Sequence, residues 1–313
     1  MVCIDDLSTG SIDNIGGLMG LPTFDFIEAD VRLPMPCVGV VDVVAHLASP
    51  ASPPDYLRHP LETLTVGSRG TENALALAQA CDARFVLAST SEVYGDPAVH
   101  PQSEDYRGNV NPVGPRSVYD EAKRYAEALA MAYWREFGTR VGIVRIFNTF
   151  GPRMRPHDGR VVTNFIAQAL DGDPLTIYGD GTQTRSFCYV DDLIRGIIAM
   201  INFSEVGPIS LGNPVEYSVV ELARRVLPLT NSRSPVEHHP LPCDDPTRRR
   251  PAIARVEEML GWRPMVPMER GLVRTVEWFR SRPAEVAAAR AAIAGGQLDG
   301  APGPVEVQGA ACA

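Results

Sequence analysis

The sequence predicts an α/β protein built on a doubly wound parallel sheet, with a second, smaller α/β lobe after it. Three observations carry that reading. Short apolar runs rich in Val, Ile and Phe alternate with longer stretches of helical periodicity. The runs are apolar along their whole length, as strands buried on both faces are. The chain has 313 residues, 45% hydrophobic and 21% charged, enough for a large core and, at about 150 residues per domain, for two domains or one domain with a lobe.

The first strands are read at Met1 to Ile4, Phe24 to Ile27, Val40 to Leu47, Phe85 to Ala88 and Val141 to Ile146. Two helices separate the last three. Pro60 to Cys81 opens on a proline and carries Leu61, Leu64, Leu75 and Leu77; Ser117 to Phe137 is Ala-rich and follows Pro115. Residues 1–150 are thus expected to form one domain. Beyond Gly151 the rhythm loosens into a helix from Val161 to Leu170, a strand at Leu175 to Tyr178, and helices around Asp191 to Ile201 and Val219 to Leu227. Residues 151–282 are expected to form the lobe, with 188–206 returning to the first domain. From Pro283 the sequence turns to Ala and Gly with few large apolar groups, so 283–313 is expected to be a fraying helix and a low-order tail.

A net charge of -9 argues against nucleic acid as a partner, since such binding needs a basic footprint. The longest apolar stretch, Val38 to Ala48, is interrupted by Asp42 and His46, and no basic segment precedes an apolar one at the N-terminus; neither a membrane span nor a signal peptide is expected. Six cysteines (Cys3, Cys37, Cys81, Cys188, Cys243, Cys312) form no CxxC pair and have no His at ligand spacing. A reduced, cytoplasmic chain without a metal site is the expectation.

The 29 basic residues comprise one lysine, Lys123, and therefore 28 arginines. Tyr119 stands four residues before that lysine, on one face of the predicted helix. Nine tyrosines in 313 positions would place one there by chance about 3% of the time (9/313). A phenol titrates near 10 and must be brought lower to act as a base at neutral pH, which a nearby ammonium does. A guanidinium is too bulky to present one compact charge to both a phenolate and a ribose. Just after the strand Phe85 to Ala88 come Ser89-Thr90-Ser91-Glu92-Val93-Tyr94-Gly95, hydroxyls and a carboxylate at the edge where open parallel sheets bind ligands.

The stretches Leu87 to Pro97, Asn109 to Arg124 (with Tyr119-Asp120-Glu121-Ala122-Lys123), Arg145 to Met154 and Tyr178 to Phe187 resemble the extended short-chain dehydrogenase/reductases of the nucleotide-sugar epimerase and dehydratase group. Within it they are most similar to the UDP-glucuronate decarboxylases. The likeness runs from about Val2 to about Phe279. It implies a Rossmann-like fold, NAD as cofactor, a UDP-sugar substrate, and a homodimer formed through the helices Pro60 to Cys81 and Ser117 to Phe137. It also implies chemistry in which Tyr119 takes the 4-hydroxyl proton while C4 gives hydride to NAD. Thr90 bonds the same oxygen, Lys123 supports the phenolate, and Glu92 orients the substrate or handles protons near C5. The 4-ketone lets CO2 leave, and hydride then returns to C4.

For the cofactor the resemblance implies Asp5, Asp6, Leu7, Ser8, Thr9 and Gly10 after the first strand, whose carboxylate would meet the ribose hydroxyls and disfavour a 2′-phosphate. It adds Asp30 and Val31 beside the adenine, Leu47, Ala48 and Ser49 along the cofactor, and Ala88 with Tyr119 and Lys123. For the substrate it implies Thr90, Asn148, Arg160, Val161, Tyr178, Arg185 and Arg249.

Related dehydratases carry Asp-Glu after the threonine; here Ser91 stands in the Asp position and is a poor general acid, while epimerases usually lack Glu92 as well. Decarboxylation is therefore expected over 4-epimerisation or 4,6-dehydration. Relatives tend to carry Lys and Asn where this chain has Thr65 and Gly67, and His where it has Arg155. The implied fold also opens with a strand, a Gly-rich pyrophosphate turn and a helix. The sequence starts at what would be the second strand, and Gly16, Gly17 and Gly20 follow Asp5 too late to serve. A start codon placed too late is the expectation. The competing reading, of a different class, is a catalytically silent nucleotide-sugar-binding scaffold.

Overall fold

The computed structural model describes residues 1–35, 39–156, 158–242 and 244–294. The first half of the chain runs β1 (Val2–Asp5), β2 (Asp25–Glu28), β3 (Val43–His46), α1 (Pro53–Arg58), α2 (Pro60–Thr65), α3 (Thr71–Ala80), β4 (Arg84–Thr90), α4 (Ser117–Phe137) and β5 (Val141–Ile146). The second half adds β6 (Thr149–Phe150), α5 (Val161–Asp171), β7 (Leu175–Tyr178), β8 (Thr184–Ser186), β9 (Cys188–Tyr189), α6 (Val190–Ile201), β10 (Ile209–Leu211), β11 (Glu216–Ser218) and α7 (Val219–Thr230). It ends with β12 (Val236–His239), β13 (Arg248–Arg249), α8 (Ala254–Leu260), α9 (Met268–Arg280) and α10 (Pro283–Ala294).

Strands β3, β4, β5 and β10 form a parallel sheet in the order β10-β5-β4-β3, and β1 pairs in parallel with β2. The side chains of β4 alternate across this sheet. Phe85 and Leu87 enter a core with Ala74, Leu75 and Ala78 of α3 and Ala126 and Ala130 of α4. Val86 faces the opposite core, with Leu193, Ile197 and Met200 of α6 and Val256 and Trp262 from the α8 region. Helices cover both faces, which is why β4 reads as an unbroken apolar run. The chain returns to this sheet through α6, β10 and α8.

The lobe packs α5, α7 and α9 around β7 in a third core that includes Phe165, Leu175, Leu222 and Phe279. Beside it, β7 pairs with β12, and β8 lies between β11 and β13. None of the helices described is long and apolar enough to cross a membrane.

One expectation is corrected. The helix read from Pro60 to Cys81 is interrupted by a π-type turn at Val66–Gly70. There α4 comes so close that a Cβ on Gly67 would lie 2.6 Å from the Ala122 Cβ. Preceding it is a short helix, α1, started by Ser52 as cap and Pro53 and Pro54 in its first turn. The helix read from Pro283 is α10, which buries Val286 in the lobe core and pairs Arg290 with Asp173. Residues 295–313 lie outside the described residues, as do Cys37, Cys243 and Cys312.

Candidate active site

At the end of β4, Thr90 caps a tight 3-10 turn, Ser91–Tyr94, its hydroxyl oxygen accepting from the Glu92 amide at 3.2 Å. Gly95 closes the turn at φ 60°, and a Cβ there would meet the Asn109 carbonyl at 2.0 Å. Only glycine fits. The turn holds Glu92 against the first turns of α4, whose buried face presents Tyr119, Asp120 and Lys123. The Tyr119 hydroxyl and Thr90 are hydrogen-bonded. Lys123 Nζ donates to the Ala88 carbonyl at 2.9 Å and lies 5.9 Å from the Tyr119 ring centroid. Tyr56 of α1 stacks on Tyr119, with centroids 5.2 Å apart and planes within 6°.

Beside this pair lies an ionic cluster. Arg116 Nη2 donates to Glu92 Oε2 at 2.7 Å, and Arg249 donates to Glu92 Oε1 and, through Nη2, to the Gly95 carbonyl at 3.3 Å. Asp245 extends the cluster, 3.7 Å from Arg116 and 2.9 Å from Arg185. Arg185, Arg249 and Asp120 are all buried, and Asp120 Oδ1 has no hydrogen-bond partner. Next to Asp245 opens a cavity of about 680 Å³, lined among others by His100, Gln183, Thr184, Glu216 and Thr247.

Burial sets the proton affinities first and neighbouring charges second. It would raise the Glu92 carboxyl, but Arg249 and Arg116 outweigh it and hold the group well below the usual carboxylate range. Asp120, buried and facing Glu92, is raised to about 7. Lys123 is lowered by burial to about 8, with Glu127 opposing; that carboxylate is already engaged by Ser89 at 2.6 Å and Arg145 at 2.7 Å. Burial and the Lys123 charge lower His46, bonded to Thr71 at 3.1 Å, to about 3. The phenol of Tyr119 is pushed up to about 12 by burial, against the Thr90 hydrogen bond and the Arg160 charge. Desolvation, and not the lowering by Lys123 expected from the helical spacing, thus dominates this phenol.

The structure brings Thr90, Glu92, Tyr119, Lys123, Arg185 and Arg249 together, with Arg160 near enough to act on Tyr119. Arg160 itself pairs with Asp158 at 2.7 Å where α5 begins, and Val161 packs against the lobe core. The Asn148 carbonyl accepts from the Cys188 amide, and Tyr178 stays half exposed beside His239. The segment Asp5 to Gly10 sits at the end of β1, where Asp5 Oδ1 accepts from the Leu7 amide at 2.7 Å and Ser8 bonds Asp6. A Cβ on Gly10 would lie 3.2 Å from Asp5 Oδ1, so the glycine leaves room around that carboxylate. Asp30 is taken up by Arg32 at 2.7 Å, and the Val31 carbonyl accepts from Asn73. Leu47, Ala48 and Ser49 follow β3 at the same sheet edge, with Leu47 exposed.

Sequence reasoning missed Tyr56, Arg116, Asp120, Asp245 and His46. Arg116 and Asp120 lie within the Asn109 to Arg124 stretch, so helical spacing around Tyr119 could have flagged them. Tyr56 and Asp245 gave no local signal, being 63 and 126 residues from Tyr119.

Comparison with known proteins accords with this geometry. The profile described as "NAD dependent epimerase/dehydratase family" matches residues 25–212. UDP-glucuronic acid decarboxylase 1 of Danio rerio is 50% identical over 276 residues, 88% of this chain and 66% of its own length. UDP-glucuronic acid decarboxylase 3 of Arabidopsis thaliana is 49% identical over 282 residues, 90% of this chain and 82% of its own. The chain thus spans just under two thirds of the first of these curated relatives. Among solved structures, a UDP-glucuronic acid 4-epimerase mutant from Bacillus cereus, in complex with NAD and UDP-4-deoxy-4-fluoro-glucuronic acid, superposes with a TM-score of 0.80 at 27% identity, covering 90% of each chain. A profile match over more than half the chain, relatives near 50% identity and a shared fold agree: the chain belongs to the NAD dependent epimerase/dehydratase family.

Proposed function

We propose that this chain carries out NAD-dependent decarboxylation of UDP-glucuronate to UDP-xylose through a 4-keto intermediate. The observation that carries the reading is the adjacency of a hydroxyl-linked Tyr119–Thr90 pair and a Glu92 carboxylate clamped by two arginines, with Ser91 where a dehydratase needs an acid. The names of the relatives at 49–50% identity support the same reaction.

The space around Asp5 left by Gly10 and the strand-end position of Asp5 to Gly10 fit a dinucleotide, with Asp5 and Asp6 as ribose-side acceptors. Bound NAD supplies the hydride acceptor and donor for C4. Thr90 and Tyr119 hold the 4-oxygen, and Tyr119 takes and returns its proton. Lys123, as the adjacent cation, stabilises the phenolate that results. Arg116 and Arg249 keep Glu92 ionised and oriented toward the reacting end of the sugar. Arg185 and the 680 Å³ cavity beside Asp245 receive the nucleotide diphosphate, with Asn148, Arg160, Val161 and Tyr178 along its path. Exposed Leu61 and Leu64 of α2 and Tyr125 of α4 form an apolar face that suits a second copy of the chain, hence a homodimer. The free thiols of Cys3, Cys81 and Cys188 support a reducing compartment, the cytoplasm.

The test is to incubate the protein with UDP-glucuronate and NAD and to identify the products. CO2 and a UDP-pentose in equal amounts, with no net NADH, are expected. A 6-deoxy-4-keto sugar nucleotide or a C4 epimer that keeps its carboxylate would refute the assignment.

A further inference from the structure

Replacing a carboxylate by a hydrogen consumes one proton in every turnover. The bond from C5 to the carboxylate breaks, CO2 leaves, and C5 must take a proton. The redox cycle cannot supply it, because the proton Tyr119 removes from the 4-hydroxyl returns to the same oxygen. It has to be brought from solvent into a buried site. Resting on the decarboxylase reading above, we propose that Asp120 admits this proton, taking it from a small polar cavity and passing it to Glu92 for delivery to C5.

The geometry singles out Asp120 among the groups at hand. Its side chain is buried, at 5% exposure, and its Oδ1 has no partner, which is costly for a carboxyl oxygen unless something reaches it. It lines a cavity of about 50 Å³ together with Arg116, Asp96, Asn109, Asn111 and Asp244. Such a space admits about three waters, at ~15 Å³ each. The rim residues Asp96, Asn109 and Asn111 are exposed, so the cavity leads from solvent to Asp120. Rim groups already have partners: Asn111 bonds Asp244 at 3.2 Å, and Asp96 accepts from the Thr247 amide at 2.9 Å. Arg116 belongs to both cavity and cluster and joins the two.

The charged and titratable groups that face Asp120 are Glu92, Arg116, Arg249 and Glu121, with Tyr56 and Tyr119 packed against them and Asp96 and Asp244 at the rim. Glu92 cannot store the proton while two guanidiniums hold it ionised, whereas the Asp120 carboxyl, raised to about 7, can. The transfer balances. Asp120 gives its proton to the Glu92 carboxylate, protonated Glu92 gives it to the C5 carbanion equivalent, and Glu92 returns to the ionised form its arginines favour. Water in the cavity then reprotonates Asp120. Asp120 acts through Glu92 and is a positioning residue for the proton.

The test uses the whole chain in two measurements. Infrared titration of the protein without substrate should show a buried carboxylic-acid band that fades as pH rises through about 7, and Asp120→Asn should lack it. In turnover, Asp120→Asn should lower kcat about 100-fold, within the usual range for lost acid–base catalysis. It should also abolish the fall in kcat above pH 7 that the wild type shows as its donor ionises, and Asp120→Glu should restore that limb. Similar melting curves for wild type and Asp120→Asn would assign the loss to proton supply rather than folding. A wild type without the band, a band that survives in Asp120→Asn, or an Asp120→Asn enzyme with unchanged kcat and pH profile overturns the relay. Wild-type protein that shows the band yet releases no CO2 overturns the decarboxylase reading itself, and the relay with it.

Discussion

Two ends of one site treat buried charge in opposite ways. At one end Glu92 is matched by Arg116 and Arg249, and Asp245 by Arg185, so the ions are fixed in place. At the other, Lys123 donates to the Ala88 carbonyl, and the carboxylate that acts on it, Glu127, is already bound by Arg145 and Ser89. The difference teaches what each end is for. A saturated pair orients its carboxylate and returns it to the ionised form, so Glu92 can carry a proton only in passing, between Asp120 and the substrate. An under-compensated cation and a phenol in a dry pocket are held at unusual proton affinities, which is the condition for moving protons.

Breaking the dry end should have the largest effect. Tyr119→Phe removes the hydroxyl proposed to take the 4-hydroxyl proton and should lower kcat by about 10³-fold or more while leaving the fold intact, measured as CO2 release beside a melting curve. Breaking the saturated end should instead be felt as stability. Arg249→Met leaves Glu92 short of a buried partner, a loss of about 3–5 kcal/mol for broken buried pairs, read by chemical denaturation.

Lys123→Met sharpens the contrast because its sign is reversed. Burial lowers Lys123 from 10.5 to about 8, so folding works against protonation, in full below pH 8 and progressively less between pH 8 and 10.5. The variant should therefore abolish turnover yet be more stable at pH 7 by roughly 3 kcal/mol, an advantage that fades as pH rises through that window. The smallest effect is expected at Tyr56→Phe. Its hydroxyl is buried without a partner, so stability should change by no more than about 0.5 kcal/mol, because no hydrogen bond is lost. A larger drop would show that the hydroxyl is held after all.

The dry end was legible in the sequence and the saturated end only half so. Tyr119 and Lys123 announce themselves through one helical turn and through the single lysine in a chain of arginines, and Thr90 and Glu92 through their place after an apolar strand. Periodicity also gave β5 and α4 at their observed bounds, since local patterns specify both. It did not foresee the π-type turn around Gly67, where Ala122 of α4 would lie 2.6 Å from a Cβ on the glycine, a contact no local pattern encodes. The ionic cluster is likewise assembled from Glu92, Arg116, Asp245 and Arg249 across about 150 residues of chain. Among 28 arginines, charge alone cannot say which two will meet one glutamate; the resemblance marked Arg249, and Arg116 went unmarked.

The central claim is that this site recycles a hydrogen at C4 internally while drawing a proton for C5 from solvent. Turnover of UDP-glucuronate in D2O, followed by proton NMR of the product, tests it most directly. UDP-xylose with one deuterium at C5 and the original protium at C4 is the expected product. Deuterium at C4, or a product that keeps its carboxylate, would contradict it.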